Sequence, residues 1–371
     1  MPRYAELSLL LLLAASATAA SVFDGEGVFE IQLAFDFDAI CMNPERNDCD
    51  DVPGVITYMS ANGESRDVNV NIRTRGRWNP KTAGCQLPSL FVYFDEQTAK
   101  GTLFEEESML PLTTHCRHHN RAYGDLVQIE YLAHRIFTML TDVSLRTRLL
   151  SVTYKDTRSS RARRRSAFLI EHFDKLGERT GTTWRDTDKV DLDKVRPEEM
   201  ARLSLFQYMI GNLDWSAIQP HNVAMFEDAA GFLTPVPFDF DYSGIVSTPY
   251  ASPPSELPVY SVRQRFYRGL CWPDFDWDAL FDEFLAIEND VYAELASLSN
   301  VNFKERRRVR HFLKDFFRTI RTEKSRQSKI IDRCRVLPRQ AGSPVAGDGG
   351  DQSQADEGRA AEEPAAPLDS Q

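Results

Sequence analysis

A change of hydrophobic period constrains this chain most. In the first half, apolar residues alternate. Phe29 to Leu33 and Val68 to Arg73 do so in the strand manner, and Pro88 opens a further strand at Leu90 to Phe94. Leu149 to Tyr154 and Ala167 to Glu171 read as two more strands. Only Tyr123 to Leu140 interrupts them with helical spacing, placing Leu126, Ile129, Leu132, Ile136 and Phe137 on one face. Beyond Pro197 the pattern turns helical. Pro197 starts a helix carrying Met200, Leu203, Phe206, Met209 and Ile210, with Glu198 and Glu199 in its first turn. Asp276 to Leu298 and Asn302 to Ile320 read as two more amphipathic helices. Strands followed by helices predict an α+β protein. At 371 residues and 42% apolar, the chain can form one large domain or two lobes around a cleft.

Both ends carry different information. Leu7 to Ala19 is apolar behind a short head containing Arg3, and Ala17-Thr18-Ala19 fits a small-x-small cleavage site. This predicts a signal peptide over residues 1–20, too short to span a membrane, and hence an exported, soluble product. The six cysteines are even in number, as exported disulfide proteins require. Cys41–Cys49, Cys85–Cys116 and Cys271–Cys334 are the expected pairs among fifteen possible pairings. Zinc is the alternative at His115-Cys116 with His118-His119, although no CxxC occurs. Residues 338–371 hold seven acids and two arginines without apolar periodicity and read as a disordered acidic tail. They account for -5 of the formal charge of -11. The remainder is mildly acidic and gives no push toward nucleic acid.

Chemistry concentrates between Gly211 and Gly244. Asp214 lies just past the helix, His221 and Asn222 follow in a polar loop, and a hairpin leads to Asp239 and Asp241. Taken singly these are caps, turn formers and surface acids. In this order they supply an oriented carboxylate, an amide and a carboxylate pair able to hold a divalent cation. Alternation would put Asp239 and Asp241 on one side, with Phe240 packed inward. The earlier Asp36-Phe37-Asp38 lacks the preceding loop and reads as a strand end.

The order resembles the protein-kinase active site: catalytic-loop Asp, metal-binding Asn, then the Asp of a DFG motif. The long gap from Asp214 to Asn222 and the Asp239-Phe240-Asp241 string look more like the CotH spore-coat kinase family and its secreted relatives. The resemblance covers about Phe29 to Arg335 and implies a two-lobed protein-kinase-like fold. A β-rich lobe would span residues 21–171 and a mainly helical lobe residues 172–337. Asp214 would orient an acceptor hydroxyl, while Asn222, Asp239 and Asp241 hold Mg2+ or Mn2+ on ATP. Glu130 would sit on an αC-like helix. Glu171 would end the strand at a nucleotide hinge, and Arg75 or Lys81 would replace the missing phosphate-gripping lysine. Arg75 lies in the string Arg73-Thr74-Arg75-Gly76-Arg77-Trp78, whose guanidinium groups match phosphate oxygens. The implied activity is an exported phosphotransferase acting on a protein hydroxyl. The alternative is an inactive pseudokinase that binds a cell-envelope or extracellular partner.

Overall fold

The computed structural model describes residues 21–41, 50–75, 85–117, 120–272 and 274–336. Residues 1–20, where a signal peptide was expected, and Lys81, Cys49, His118, His119 and residues 337–371 lie outside them.

Seven strands form a closed barrel: β1 (Phe29–Phe35), β2 (Val52–Met59), β3 (Ser65–Thr74), β4 (Leu90–Phe94), β5 (Met109–Thr113), β6 (Thr147–Asp156) and β7 (Ala162–Ile170). The spatial order is β1-β2-β3-β4-β5-β7-β6, and β1 returns to β6. That last pairing is parallel, Phe29 opposite Leu150 and Phe35 opposite Asp156, whereas the other neighbours are antiparallel. Alternation fixes the inward set. Val68, Val70 and Ile72 of β3 are buried while Asp67, Asn69 and Asn71 face water. Leu33, Phe35, Ile56, Val92 and Val152 fill the same interior. Gly54 on β2 lets the strands approach, because a Cβ there would lie 2.9 Å from the Ala34 carbonyl oxygen.

This architecture overturns the expected two-lobed protein-kinase-like fold. The chain forms a closed barrel, a small separate sheet and helices instead. Period two says which residues face inward but not which strand pairs with which. The closure joins strands far apart in sequence through a parallel ladder that no local pattern announces.

The short helix α1 (Glu96–Ala99) follows β4. The helix α2 (Ala122–Thr138) packs across β6 and β7 outside the barrel. Its buried face joins a second core with α3 (Phe173–Thr180), α4 (Pro197–Ile210), α5 (Trp277–Ala286), α6 (Glu288–Ser297) and α7 (Phe303–Arg321). The expected helix from Asp276 to Leu298 is two helices, α5 and α6, meeting at Ile287. A smaller antiparallel sheet, β8 (Thr183–Arg185), β9 (Val223–Glu227) and β10 (Leu233–Pro237), lies beside α4.

Cys85–Cys116 and Cys271–Cys334 are disulfides, with Cα separations of 4.7 and 5.1 Å. Cys116 is therefore not available as a zinc thiolate. The Cys271–Cys334 bridge spans 63 residues and restricts the unfolded chain by about 4 kcal/mol. Among the described residues, no helix is long and apolar enough to cross a membrane.

Glu107, just before β5, shows the cost of burying a carboxylate. It is 8% exposed and its Oε2 has no hydrogen-bond partner. Burial pushes its pKa up to about 7, against a smaller opposing pull from Lys175. A raised carboxyl contributes stability that is complete below its unfolded pKa and lost as pH rises through the folded value. The window here runs from about 4.5 to 7, and a displacement of this size is worth about 3 kcal/mol. Glu107→Gln should flatten that slope, raising stability at pH 8 relative to wild type but not at pH 4. Denaturant midpoints at the two pH values check it. Equal differences at both would show that the carboxyl does not titrate in this window.

A candidate acidic centre beside the hairpin

The helix α4 ends in a left-handed residue, Gly211, at φ +67°, whose N–H caps the carbonyls of Gln207 and Tyr208. The chain turns and Asp214 follows, its N–H donating to Asn212 Oδ1 at 3.0 Å. Ser216 and His221 then pair backbone to backbone, at 2.9 and 3.0 Å, and close the loop. That closure returns His221 and Asn222 to Asp214. His221 Nε2 lies 3.0 Å from Asp214 Oδ1. Asn222 Nδ2 donates to the Asp214 carbonyl at 2.9 Å and to Oδ2 at 3.1 Å. Both oxygens of the half-exposed Asp214 carboxylate are thereby aimed.

Asn222 has φ +53° and Asp239 φ +62°. Asn and Asp tolerate the left-handed region best among residues with a Cβ. The first hands the chain into β9, and the second turns it out of β10. The expected extended run from Asp239 to Asp241 is therefore broken at its first residue, yet the Asp239 charge still acts on Asp241. Phe240 is fully buried, its ring 4.6 Å from that of His134 and 5.5 Å from that of Phe206. Its backbone lies close enough to Glu130 of α2 to favour that carboxylate. Glu130 is 6% exposed and buried within the field of Asp239.

Crowding sets the electrostatics. Burial raises the Glu130 pKa, the Asp239 charge raises it further, and Arg75 opposes both. Burial likewise raises that of Asp241, followed by the charges of Asp239 and Glu130. Tyr250 donates its hydroxyl to Asp241 Oδ2 at 2.9 Å, and Thr248 donates to the Asp241 carbonyl at 3.0 Å. His134 is pushed down to about 3, by burial and then by Arg75, so it is neutral. Its hydrogen bond and ion pair with Asp214 raise His221 against burial, and Asp239 adds to this. His221 thus lies in the fields of both Asp214 and Asp239.

Asp214, Asn222, Asp239, Asp241, Glu130 and Arg75 are brought to one locality, and Arg75 Nη1 is buried there without a hydrogen-bond partner. Glu171 is not. It is 4% exposed and engaged by Arg179, and its backbone N–H donates to the Arg146 carbonyl at 2.9 Å. Lys81 lies outside the described residues. Sequence reasoning missed three participants. The proline-rich segment hid Tyr250, His221 read as a turn former, and Arg268 has no local signature. Arg268 donates to the Leu213 carbonyl and sits in the field of Asp214. Among the described residues no three His, Cys, Asp or Glu side chains are grouped closely enough to form a metal site by themselves.

Gly244 fixes where this stretch ends. Its N–H donates to the Gly211 carbonyl at 2.9 Å, so the two glycines clasp the segment's ends. A Cβ at Gly244 would fall 2.4 Å from the Val262 carbonyl oxygen and 3.1 Å from Phe312 Cζ. Gly244→Ala should cost about 1–3 kcal/mol through overpacking. Urea unfolding reads it, and a loss under 0.5 kcal/mol would mean that the 262–263 backbone yields freely.

Comparison with known proteins returns no match: no protein-family model, no curated protein and no solved structure is significantly similar to this chain.

Proposed function

We propose that the acidic centre binds a divalent metal–ATP complex and transfers phosphoryl to a hydroxyl of a protein acceptor. The observation that carries this reading is the grouping of an aimed carboxylate, Asp214, with Asp239 and with Asp241, whose ionised form burial and then the Asp239 charge disfavour. Asp214 would orient the acceptor hydroxyl and take its proton, with His221 and Asn222 holding its two oxygens in place. Asp239 and Asp241, with the Asn222 amide oxygen, would hold Mg2+ or Mn2+. Mg2+ needs only one or two carboxylates when phosphates and water complete its shell, so the absence of a three-ligand cluster does not count against the fit. Two half-buried like charges placed close together are stabilised by a cation. The metal would neutralise phosphate charge during transfer. Arg75, the cation acting on Glu130, would take the role expected of a lysine. The disulfides favour an exported protein with an extracytoplasmic acceptor.

The second reading is a catalytically silent binding protein of the cell envelope, akin to the pseudokinase alternative. It draws on the internal pairing at the site: Tyr250 already donates to Asp241, and Asn222 and His221 already occupy Asp214.

A thermal-shift titration separates the two. The first reading expects ATP with Mg2+ or Mn2+ to raise the melting midpoint, and ATP with chelator to leave it unchanged. A cooperative melt that no metal–nucleotide combination moves would sink the transferase reading and leave the second.

A further inference from the structure

The last long helix carries a feature of opposite sign to the acidic centre. Lys304, Arg307, His311, Lys314 and Arg318 follow one another at steps of three and four along α7, so they lie on one face, all exposed. At the rise of an α-helix this stripe is about 21 Å long. Arg263 and Arg265 stand opposite it and make the stripe one wall of a groove of about 750 Å³. Asp315 is the one acid lining that groove. Several of these cations have structural duties. Arg265 donates to the carbonyls of Met209 and Phe312. Arg308 holds the carbonyls of Ile245 and Val246. Lys304, Arg307 and Lys314 make no ion pair or hydrogen bond among the described residues. A protein of formal charge -11 thus presents an unneutralised basic groove.

The chain contains its complement. Residues 337–371 carry seven acids against two arginines. They leave the described structure next to the groove. Cys334 is bonded to Cys271, and the Arg335 N–H donates to the Gly269 carbonyl at 2.8 Å. Gly269 is four residues beyond Arg265, which lines the groove, a chain length of at most about 14 Å. Asp348, the first acid, follows Val336 by 12 residues. That length reaches at most about 40 Å, twice the stripe. Exposed ion pairs are weak singly, but tethering gives the acids an effective concentration in the millimolar range.

We propose that the α7 groove is the docking surface of the chain's own residues 337–371, whose carboxylates pair with Lys304, Arg307 and Lys314. Arg308, which lines the groove, also holds the carbonyls of Ile245 and Val246, so the docking surface is tied to the segment that follows the Asp239–Asp241 turn. This holds whether or not the acidic centre transfers phosphate.

Zero-length carbodiimide coupling on the dilute full chain tests it, because the reagent joins a carboxylate only to an amine already in contact. Mass spectrometry should find acids of residues 348–369 joined to Lys304 and Lys314. The exposed Lys100 and Lys155 serve as controls, with coupling at least about tenfold lower. The specific coupling should fall several-fold at about 0.5 M NaCl, where screening is nearly complete. Replacing the seven tail acids with their amides, a change outside the folded core, should abolish it without moving the melting midpoint. Equal coupling to the control lysines would overturn the proposal. So would coupling found only between chains in a mixed-isotope sample, which would make a second copy the occupant. Absence of coupling, with full chain instead co-sedimenting on phosphatidylserine vesicles through Lys304 and Lys314, would assign the groove to lipid and equally overturn it.

Discussion

Arg179→Ala is expected to destabilise the protein by about 3–5 kcal/mol. Glu171 lies at the end of β7 with its side chain 5% exposed, and Arg179 of α3 reaches it with two nitrogens, at 3.0 and 2.9 Å. The same guanidinium donates to the carbonyls of Asp142 and Ser144, at 3.0 and 2.8 Å. Alanine would remove four hydrogen bonds and leave an ionised carboxylate buried with only the Arg146 N–H, at 3.1 Å. An unpaired buried charge costs more than the pair contributes, so Glu171→Gln should be milder than Arg179→Ala, and the two should be strongly non-additive. Guanidinium unfolding of both single variants and the double variant measures the coupling. A loss below 1 kcal/mol for Arg179→Ala would mean that water or relaxation satisfies Glu171. The same series tests the hinge role implied by the family resemblance. With Glu171 engaged as described, Glu171→Gln should leave any metal–ATP shift intact.

The fold was legible where local period decides it. The alternation of Val68 to Arg73 marked β3 and its inward face, and the spacing of Tyr123 to Leu140 marked α2. Pro197 marked the start of α4. The disulfides Cys85–Cys116 and Cys271–Cys334 were also anticipated. Strand partnership was not legible. The parallel pairing of β1 with β6 is decided by which surfaces remain open after collapse, and nothing in Phe29–Phe35 names Thr147–Asp156 as its neighbour. The strand β2 was not among the expected strands, and Pro53 and Gly54 are residues that weaken a strand pattern. Gly54 is instead required by the close approach of β1.

Site geometry divides along the same line. The loop from Asp214 to Asn222 was readable because its parts lie within nine residues and hydrogen-bond one another. Glu130 was readable as a helical position, but the burial and the Asp239 charge that define its chemistry come from packing against segments far along the chain. Tyr250, Arg268 and Arg75 reach the centre from three distant segments. Tertiary packing creates those contacts, and a side chain's type alone does not predict them. The groove on α7 shows the reverse case. Helical spacing places Lys304, Arg307, His311, Lys314 and Arg318 on one exposed face, and only the facing Arg263 and Arg265 turn that face into a concave one.

Asp239→Asn should produce opposite effects on stability and on ligand response. Without metal, Asp239 presses on both Asp241 and Glu130, and each of these has its ionised form disfavoured by that charge. Removing it relieves two like-charge contacts at once. The variant in chelator at pH 8 should therefore match wild type or exceed it by on the order of 1 kcal/mol. The asparagine keeps the volume, and Asn tolerates the φ of +62° at this position. Under the proposed function, the same change should abolish the metal–ATP thermal shift. It should also lower phosphoryl transfer by about 10³-fold or more, since metal-held charge neutralisation is the main catalytic term. Asp214→Asn offers the contrast. It leaves the carboxylate pair untouched, so the metal–ATP shift should survive while transfer falls by about 10²–10⁴-fold. ADP release in the presence of candidate acceptors reads transfer, and differential scanning reads the shift. Loss of the shift in both variants would mean that Asp214 helps hold the nucleotide rather than orient the acceptor. Destabilisation of Asp239→Asn in chelator would show that Asp239 is held by contacts stronger than its repulsion from Asp241 and Glu130. The acidic centre would then be a structural network, and the basis for placing a cation there would be gone.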